Sequence, residues 1–253
     1  MISQWGIEKT EGTFIVAAGI SAALGLLSFV LPNTPPKAAG TPSSMGAILG
    51  KDAFVLLKNK SFLIFFISAI AICIPLSFYY GFANSFLNEI GLENAAGKMT
   101  MGQMSEAIFI LAIPFLFNKI GVKNMLIFGI AAWVLRYVCF AYGNLDASWM
   151  LYAGIILHGI CYDFFFVTGY MYTEKKAGEN IKNAAQGLFT FATYGVGMFI
   201  GTNYSGFVVE QNKLADATGH NWTSIWLTPA AIAGAVLIAF ILFFKEKKEV
   251  EAA

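Results

Sequence analysis

Met125-Leu-Ile-Phe-Gly-Ile-Ala-Ala-Trp-Val-Leu-Arg136-Tyr-Val-Cys-Phe-Ala-Tyr-Gly143 is apolar except for one residue. About 20 apolar residues carry a helix across the hydrocarbon core of a bilayer, so this stretch is long enough to span one. Arg136 is the only arginine in the chain and stands near its middle. A guanidinium at that depth costs several kcal/mol unless it is paired or faces a wet cavity. Two acids, Glu106 and Asp163, lie in neighbouring apolar stretches. A membrane bundle with a polar, partly charged interior is the usual build of a transporter.

Composition points to the same solvent. The chain has 253 residues, 57% hydrophobic and 12% charged, with mean hydropathy +0.66. Soluble domains carry about 25% charged residues, so lipid is the expected surrounding. The net charge of +1 argues against nucleic-acid binding. Cys73, Cys139 and Cys161 all fall in apolar stretches and read as small buried side chains, not as a disulfide framework or metal cluster. HExxH, GxSxG, a Walker loop and CxxC are all missing, so an enzyme is not expected, and nothing calls for a cofactor or metal. No signal peptide is expected, since Met1–Glu11 is polar and the first apolar stretch is too long for a signal-peptide core.

Seven stretches qualify as spans: 13–31, 61–87, 99–118, 124–142, 149–172, 182–209 and 222–244. The longest connection, 32–60, holds Pro32, Pro35, Pro36, Gly40 and Pro42 and reads as a linker. Its end, Gly46–Leu57, is amphipathic enough to lie on a membrane surface. If spans alternate, twelve lysines gather on one side: Lys37, Lys51, Lys58, Lys60, Lys119, Lys123, Lys175, Lys176, Lys182, Lys245, Lys247 and Lys248. Lys9, Lys98 and Lys213 lie on the other. The positive-inside rule makes the rich side, and the C-terminus, cytoplasmic. One helix, a Pro-rich loop and six closely spaced helices fit a major-facilitator-type transporter, which has two six-helix halves joined by a cytoplasmic loop. The expected fold class is an all-α membrane protein of seven transmembrane helices. Residues 1–31 would end an otherwise missing N-terminal half, 32–60 would be the inter-half linker, and 61–249 the six-helix C-terminal half. A free-standing seven-helix receptor or sensor, or a subunit of a split transporter, are the alternatives.

The candidate site residues follow from this frame. Gln103 and Glu106 are three apart and share a helix face. Desolvation penalises a charged carboxylate, which makes Glu106 a candidate proton carrier, against a static partner for Arg136 or a rim carboxylate in water. Asp163 falls near mid-membrane in His158-Gly-Ile-Cys-Tyr162-Asp163-Phe-Phe-Phe166. It suits a substrate hydroxyl, a proton, or an ion pair with Arg136. Arg136 is expected to organise charge by neutralising Glu106 or Asp163. Pro75 and Gly81 predict a kink or break beside Ser77, Tyr79, Tyr80 and Asn84. Tyr80 and Tyr79 there would stack on a planar ligand or sit in an interfacial aromatic belt; Phe86 is assigned to the belt. Gln186, Thr190, Thr193, Gly197, Gly201 and Tyr204 share one face, with Gly197–Gly201 a close-packing GxxxG pattern. Asn221-Trp-Thr223 fits a glycosylation triplet.

The loop Asn118-Lys119-Ile-Gly121-Val-Lys123 resembles the D-[RK]-x-G-x-[RK] loop of the major facilitator superfamily, with Asn118 in place of the acid. Gln103-Met-Ser-Glu106, Pro114-Phe-Leu-Phe-Asn-Lys-Ile-Gly-Val-Lys, the Ala132–Gly143 stretch, Leu157-His-Gly-Ile-Cys-Tyr-Asp163-Phe-Phe and Leu31-Pro-Asn-Thr-Pro-Pro-Lys37 together resemble the bacterial nucleoside:proton symporters, over the second part of a family member. The resemblance implies proton-coupled nucleoside uptake across the bacterial inner membrane, with nucleoside and proton as substrates and the missing N-terminal half as partner. It implies Glu106 and Asp163 as site carboxylates that also carry the proton, Gln103 as a site amide, and Tyr162 as an aromatic on the base. His158, also a candidate substrate contact, stands where the family has a tyrosine-like residue. Ser77 and Tyr80 stand where polar amides are expected.

Overall fold

The computed structural model describes residues 10–34, 50–214 and 219–245. Two compact units divide at Ser44. In the first, helix α1 (Gly12–Ser28) is apolar on every side and buries none of its side chains within the unit. A helix that is apolar all round needs an apolar surrounding.

The second unit is almost entirely helical. A 3-10 helix, Lys51–Lys58, starts after Gly50, whose φ of 64° suits glycine, and buries Ala53 and Leu56. Of the predicted surface segment, residues 46–49 lie outside the described residues, as do Pro35, Pro36, Gly40, Pro42, Lys9, Lys37, Lys247 and Lys248. Helix α2 (Lys60–Glu89) is capped by the Asn59 side chain, which accepts from the Ser61 and Phe62 amides at 3.0 and 3.1 Å. Helix α3 (Ala95–Tyr142) is broken at Gly121, where φ is 76° and ψ 159°. Helix α4 (Ser148–Gln211) is broken at Gly178, with φ 66°, and carries two π-helical turns, Asp163–Val167 and Phe191–Gly197. Helix α5 (Trp222–Phe243) is capped by Asn221, which accepts from the Ser224 amide. Four of these, α2 to α5, are long and apolar enough to cross a membrane. The predicted stretches 99–118 and 124–142 fall either side of Gly121, and 149–172 and 182–209 lie either side of Gly178. Positive φ at both glycines lets the chain turn without a Cβ clash.

The exterior is apolar. Leu111, Phe115, Phe128, Phe199, Phe207 and Leu242 are exposed, while Arg136, His158, Asp163, Thr168, Thr173 and Thr193 are buried. This inverts the arrangement of a protein in water and fits one in lipid. The core is an aromatic seam. Tyr79, Phe86, Phe140, Trp222 and Trp226 meet ring on ring where α2, α3 and α5 converge. Phe86 therefore belongs to the core, not to an interfacial belt. Of the kink or break expected near Pro75, the break does not occur, because α2 runs through it. Pro75 is buried and its carbonyl accepts from the Tyr137 hydroxyl, and neighbouring helices of this kind sustain a proline within a membrane helix.

The small residues of α4 serve packing. A Cβ on Gly197 would sit 2.7 Å from Cys73 Cβ, and one on Gly201 would sit 2.9 Å from the Cys73 carbonyl and 2.9 Å from Ile74 Cα. Gly201→Ala should lower the unfolding midpoint in detergent and cost about 1–3 kcal/mol, the usual range for overpacking; an unchanged midpoint would contradict this close packing. In the glycosylation triplet, Asn221 caps α5 and the Thr223 hydroxyl donates to the Ala141 carbonyl at 3.0 Å.

Candidate functional site

Two glycines and a serine set the site. A Cβ on Gly159 would lie 2.5 Å from Ser105 C, and one on Gly102 3.2 Å from both His158 Cβ and the Ile155 carbonyl. Between them, Ser105 Oγ donates to the Ile156 carbonyl at 2.7 Å and accepts from the Gly159 amide at 3.0 Å. The first arm of α3 (95–120) is thereby seated on the start of α4, which brings Glu106 beside His158. On the far side of α4, Gly129 admits the Asp163–Val167 turn, since a Cβ there would meet Phe165 N at 2.9 Å. The second arm of α3 (122–142) delivers Arg136 to the same place.

Arg136 is fully buried. Its Cζ lies 3.4 Å from the Tyr79 ring centroid, a desolvated cation–π contact worth about 2 kcal/mol or more. Nη1 reaches His158 Nδ1 at 2.9 Å and Cys161 Sγ at 3.4 Å. The expected ion pair with Glu106 or Asp163 is not formed. Among the described residues no carboxylate lies within 4.0 Å of the guanidinium, because His158 occupies that approach and Tyr79 holds the flat face. His158, 2% exposed, stacks on Tyr79 with ring centroids 5.2 Å apart and presents Nε2 to Glu106 Oε2 at 3.6 Å.

Asp163 opens the first π-helical turn of α4 and is fully buried. Neither carboxylate oxygen has a hydrogen-bond partner among the described residues. A buried carboxylate left alone is costly as an anion. Its chemistry here is to take a proton or to accept from a donor that arrives. π-helical turns recur at functional sites because they re-aim a side chain.

The remaining candidates form the rim. Glu106 keeps 32% of its side chain exposed and Tyr80 is 50% exposed. Gln103 is exposed, one helical turn before Glu106. Tyr162 lies half-buried, its ring 5.7 Å from that of His158 and 5.2 Å from that of Phe166. Its hydroxyl bonds that of Tyr194, which comes from the second π-helical turn. The residue just before the first π-helical turn is thus tied to the second turn through a tyrosine pair. Tyr162, Tyr194 and Tyr80 present aromatic surface, with the buried Phe166 ring behind Tyr162, and Tyr162, Tyr194 and Glu106 present polar groups beside it. Among the described residues, no group of three or more His, Cys, Asp or Glu could hold a metal ion, and the three cysteines are buried and free.

The sequence pattern described as Nucleoside H+ symporter matches residues 1–249. The chain belongs to that family. Nucleoside H+ symporters are membrane transport proteins and not enzymes. The chain is 39% identical over 247 residues to YegT of Escherichia coli (strain K12), covering 95% of this chain and 58% of YegT. It is 34% identical over 262 residues to the nucleoside permease NupG of the same strain, covering 98% of this chain and 62% of NupG. The xanthosine permease of that strain is 29% identical over 268 residues, with 99% and 64% covered. A crystal structure of a mutant of the nucleoside transporter NupG superposes with a TM-score of 0.85 at 32% identity, over 96% of this chain and 63% of that one. The chain spans about three fifths of the length of the curated relatives it matches.

In this symporter-family chain, the sequence did not reveal Tyr79 as the seat of Arg136, Cys161 as its second acceptor, or Tyr194 as the partner of Tyr162. The signal for Tyr79 was available. A lone buried guanidinium calls for an aromatic face as well as an acid.

Proposed function

We propose that this chain is the nucleoside-facing and proton-coupling part of a symporter that takes nucleosides across the bacterial inner membrane by alternating access. In this reading the helices divided at Gly121 and Gly178 make six spans of the C-terminal half, 61–249. Residues 1–31 end the N-terminal half and 32–60 link the two. Alternating access needs both halves, so the remaining helices of a full-length transporter are the partner. The lysine distribution supports a cytoplasmic C-terminus; residues 246–253 lie outside the described residues.

The observation that carries the reading is the enclosed, unpartnered carboxylate of Asp163 in a chain of the H+ symporter family. An anion there opposes closure of the bundle, since its burial costs several kcal/mol. A proton from outside removes that cost and lets the bundle close on its substrate. On the inner side substrate and proton both leave, and water filling the vacated site hydrates the Asp163 carboxylate, so that the emptied, ionised carrier returns outward. Glu106 and Gln103 accept from and donate to the ribose, and Tyr162 and Tyr80 pack on the base. Charged groups on an external rim tune arrival, whereas enclosed groups set coupling.

The test is uridine uptake by cells lacking their own nucleoside permeases and expressing a full-length transporter that contains this chain. Uridine should accumulate above its external concentration, and a protonophore should abolish that accumulation. Accumulation indifferent to the protonophore, or no uptake above control cells, would overturn the reading.

A further inference from the structure

We propose that His158 is a positioning residue, a neutral imidazole that ties Arg136 to Glu106 and fixes the Glu106 carboxylate, in place of touching the substrate itself. The proposal rests on the reading of Glu106 as a substrate-binding group.

Arginine donates hydrogen bonds and accepts none. Its Nη1 lies 2.9 Å from His158 Nδ1, so Nδ1 must offer a lone pair. The ring proton therefore sits on Nε2. A doubly protonated ring would set an N–H against an N–H and two cations side by side. The remaining donor, Nε2–H, faces Glu106 Oε2 at 3.6 Å, a separation that a small turn of the half-exposed glutamate closes. The order is a guanidinium that donates, an imidazole that accepts and donates, and a carboxylate that accepts. Each link polarises the next.

The ring has little freedom to do anything else. Tyr79 stacks on it and the Tyr162 ring lies tilted against it, with centroids 5.7 Å apart. Its Cβ is pressed by Gly102, and the next residue, Gly159, is pinned to Ser105. The titratable and charged groups packed around it are Arg136 from the second arm of α3, Glu106 from the first arm, Tyr79 from α2, and Cys161 and Tyr162 from α4. Nδ1 is held by Arg136, Nε2 faces Glu106, and the residue is 2% exposed. An arriving ligand therefore meets Glu106, and Arg136 acts on that ligand only through the imidazole.

Two measurements decide the matter. In a full-length transporter containing this chain, 15N-histidine labelling reports each imidazole, and the resonances lost in His158→Gln are those of His158. In bilayers at neutral pH, His158 should appear as the neutral Nε2–H tautomer, and Glu106→Gln should shift its Nε2 resonance. An Nδ1–H tautomer, an imidazolium, or an Nε2 resonance blind to Glu106→Gln would overturn the proposal. The second measurement is a cycle on uridine uptake by the full-length transporter. His158→Leu should raise KM about tenfold, the size expected for loss of a hydrogen bond to a charged group, with little change in kcat. His158→Gln, whose amide can accept from Arg136 and donate to Glu106, should restore most of the affinity. In a Glu106→Gln background His158→Leu should cost much less, because the two changes remove one interaction. Equal cost in both backgrounds would overturn the proposal. Should the unsubstituted transporter take up no uridine at all, the nucleoside reading fails, and the Nε2 response to Glu106→Gln still decides the role of His158.

Discussion

Asp163→Asn in a full-length transporter containing this chain abolishes concentrative nucleoside uptake and leaves nucleoside exchange across the membrane intact. Asparagine nearly matches the shape of aspartate but cannot load and unload a proton. The loss is large because the proton supplies the driving force. One charge moving down 100 mV releases about 2.3 kcal/mol, which sustains a concentration ratio of about 50-fold. Without the coupled proton, the internal concentration of an unmetabolised nucleoside should only equal the external one. Exchange should survive because an uncharged side chain at 163 leaves the enclosed state accessible. The measurement is uptake and counterflow of labelled uridine with the same variant. Full accumulation by Asp163→Asn would remove Asp163 from the coupling role.

Arg136→Ala and Arg136→Met separate packing from charge. The guanidinium is buried against Tyr79, with Trp133 and Phe140 close by. Truncation to alanine leaves a void among large rings, and comparable deletions cost about 3–5 kcal/mol. Arg136→Ala should therefore unfold well below the unsubstituted chain in detergent. Methionine refills most of the volume and removes a charge whose desolvation was never fully offset, since Nε and Nη2 have no hydrogen-bond partner. Replacing buried ionic groups by apolar residues of similar size is often neutral or stabilising. Arg136→Met should thus keep a thermal midpoint near that of the unsubstituted chain while losing nucleoside affinity, because His158 loses its anchor. If Arg136→Met transports normally, the guanidinium serves stability alone.

Much of this arrangement was legible in the sequence, and particular residues explain the limits. Length and hydropathy located the apolar stretches. Gly121 and Gly178 broke α3 and α4 where the charged loops lay between stretches, because only positive φ lets adjoining helices turn there. The small face at Gly197 and Gly201 matched the packing against α2. The three buried polar residues Arg136, His158 and Asp163 were visible as polar residues in apolar runs. Their connections were not. Opposite charge suggested that Arg136 seeks an acid, but the fold offered a ring and an imidazole first. Helical spacing cannot foresee a π-helical turn, which changes the angular position of every later side chain. Asp163 stands apart from the His158 contacts because five residues place the two about 140° apart on an α-helix, and the turn that Asp163 opens re-aims the side chains after it. Gln103, one turn from Glu106 on the same face, is exposed, while Gly102 and Ser105 are the residues that seat this arm on α4. Which residues lie against α4 is decided by close approach between backbones, and a face drawn from three-residue spacing carries no such information.

The coupling of substrate to proton is tested most directly in proteoliposomes holding a full-length transporter that contains this chain, with a pH-sensitive dye inside and no initial pH gradient. Adding uridine outside should acidify the lumen, and the acidification should vanish with Asp163→Asn. Uridine entry without any change in lumenal pH would contradict proton coupling through Asp163.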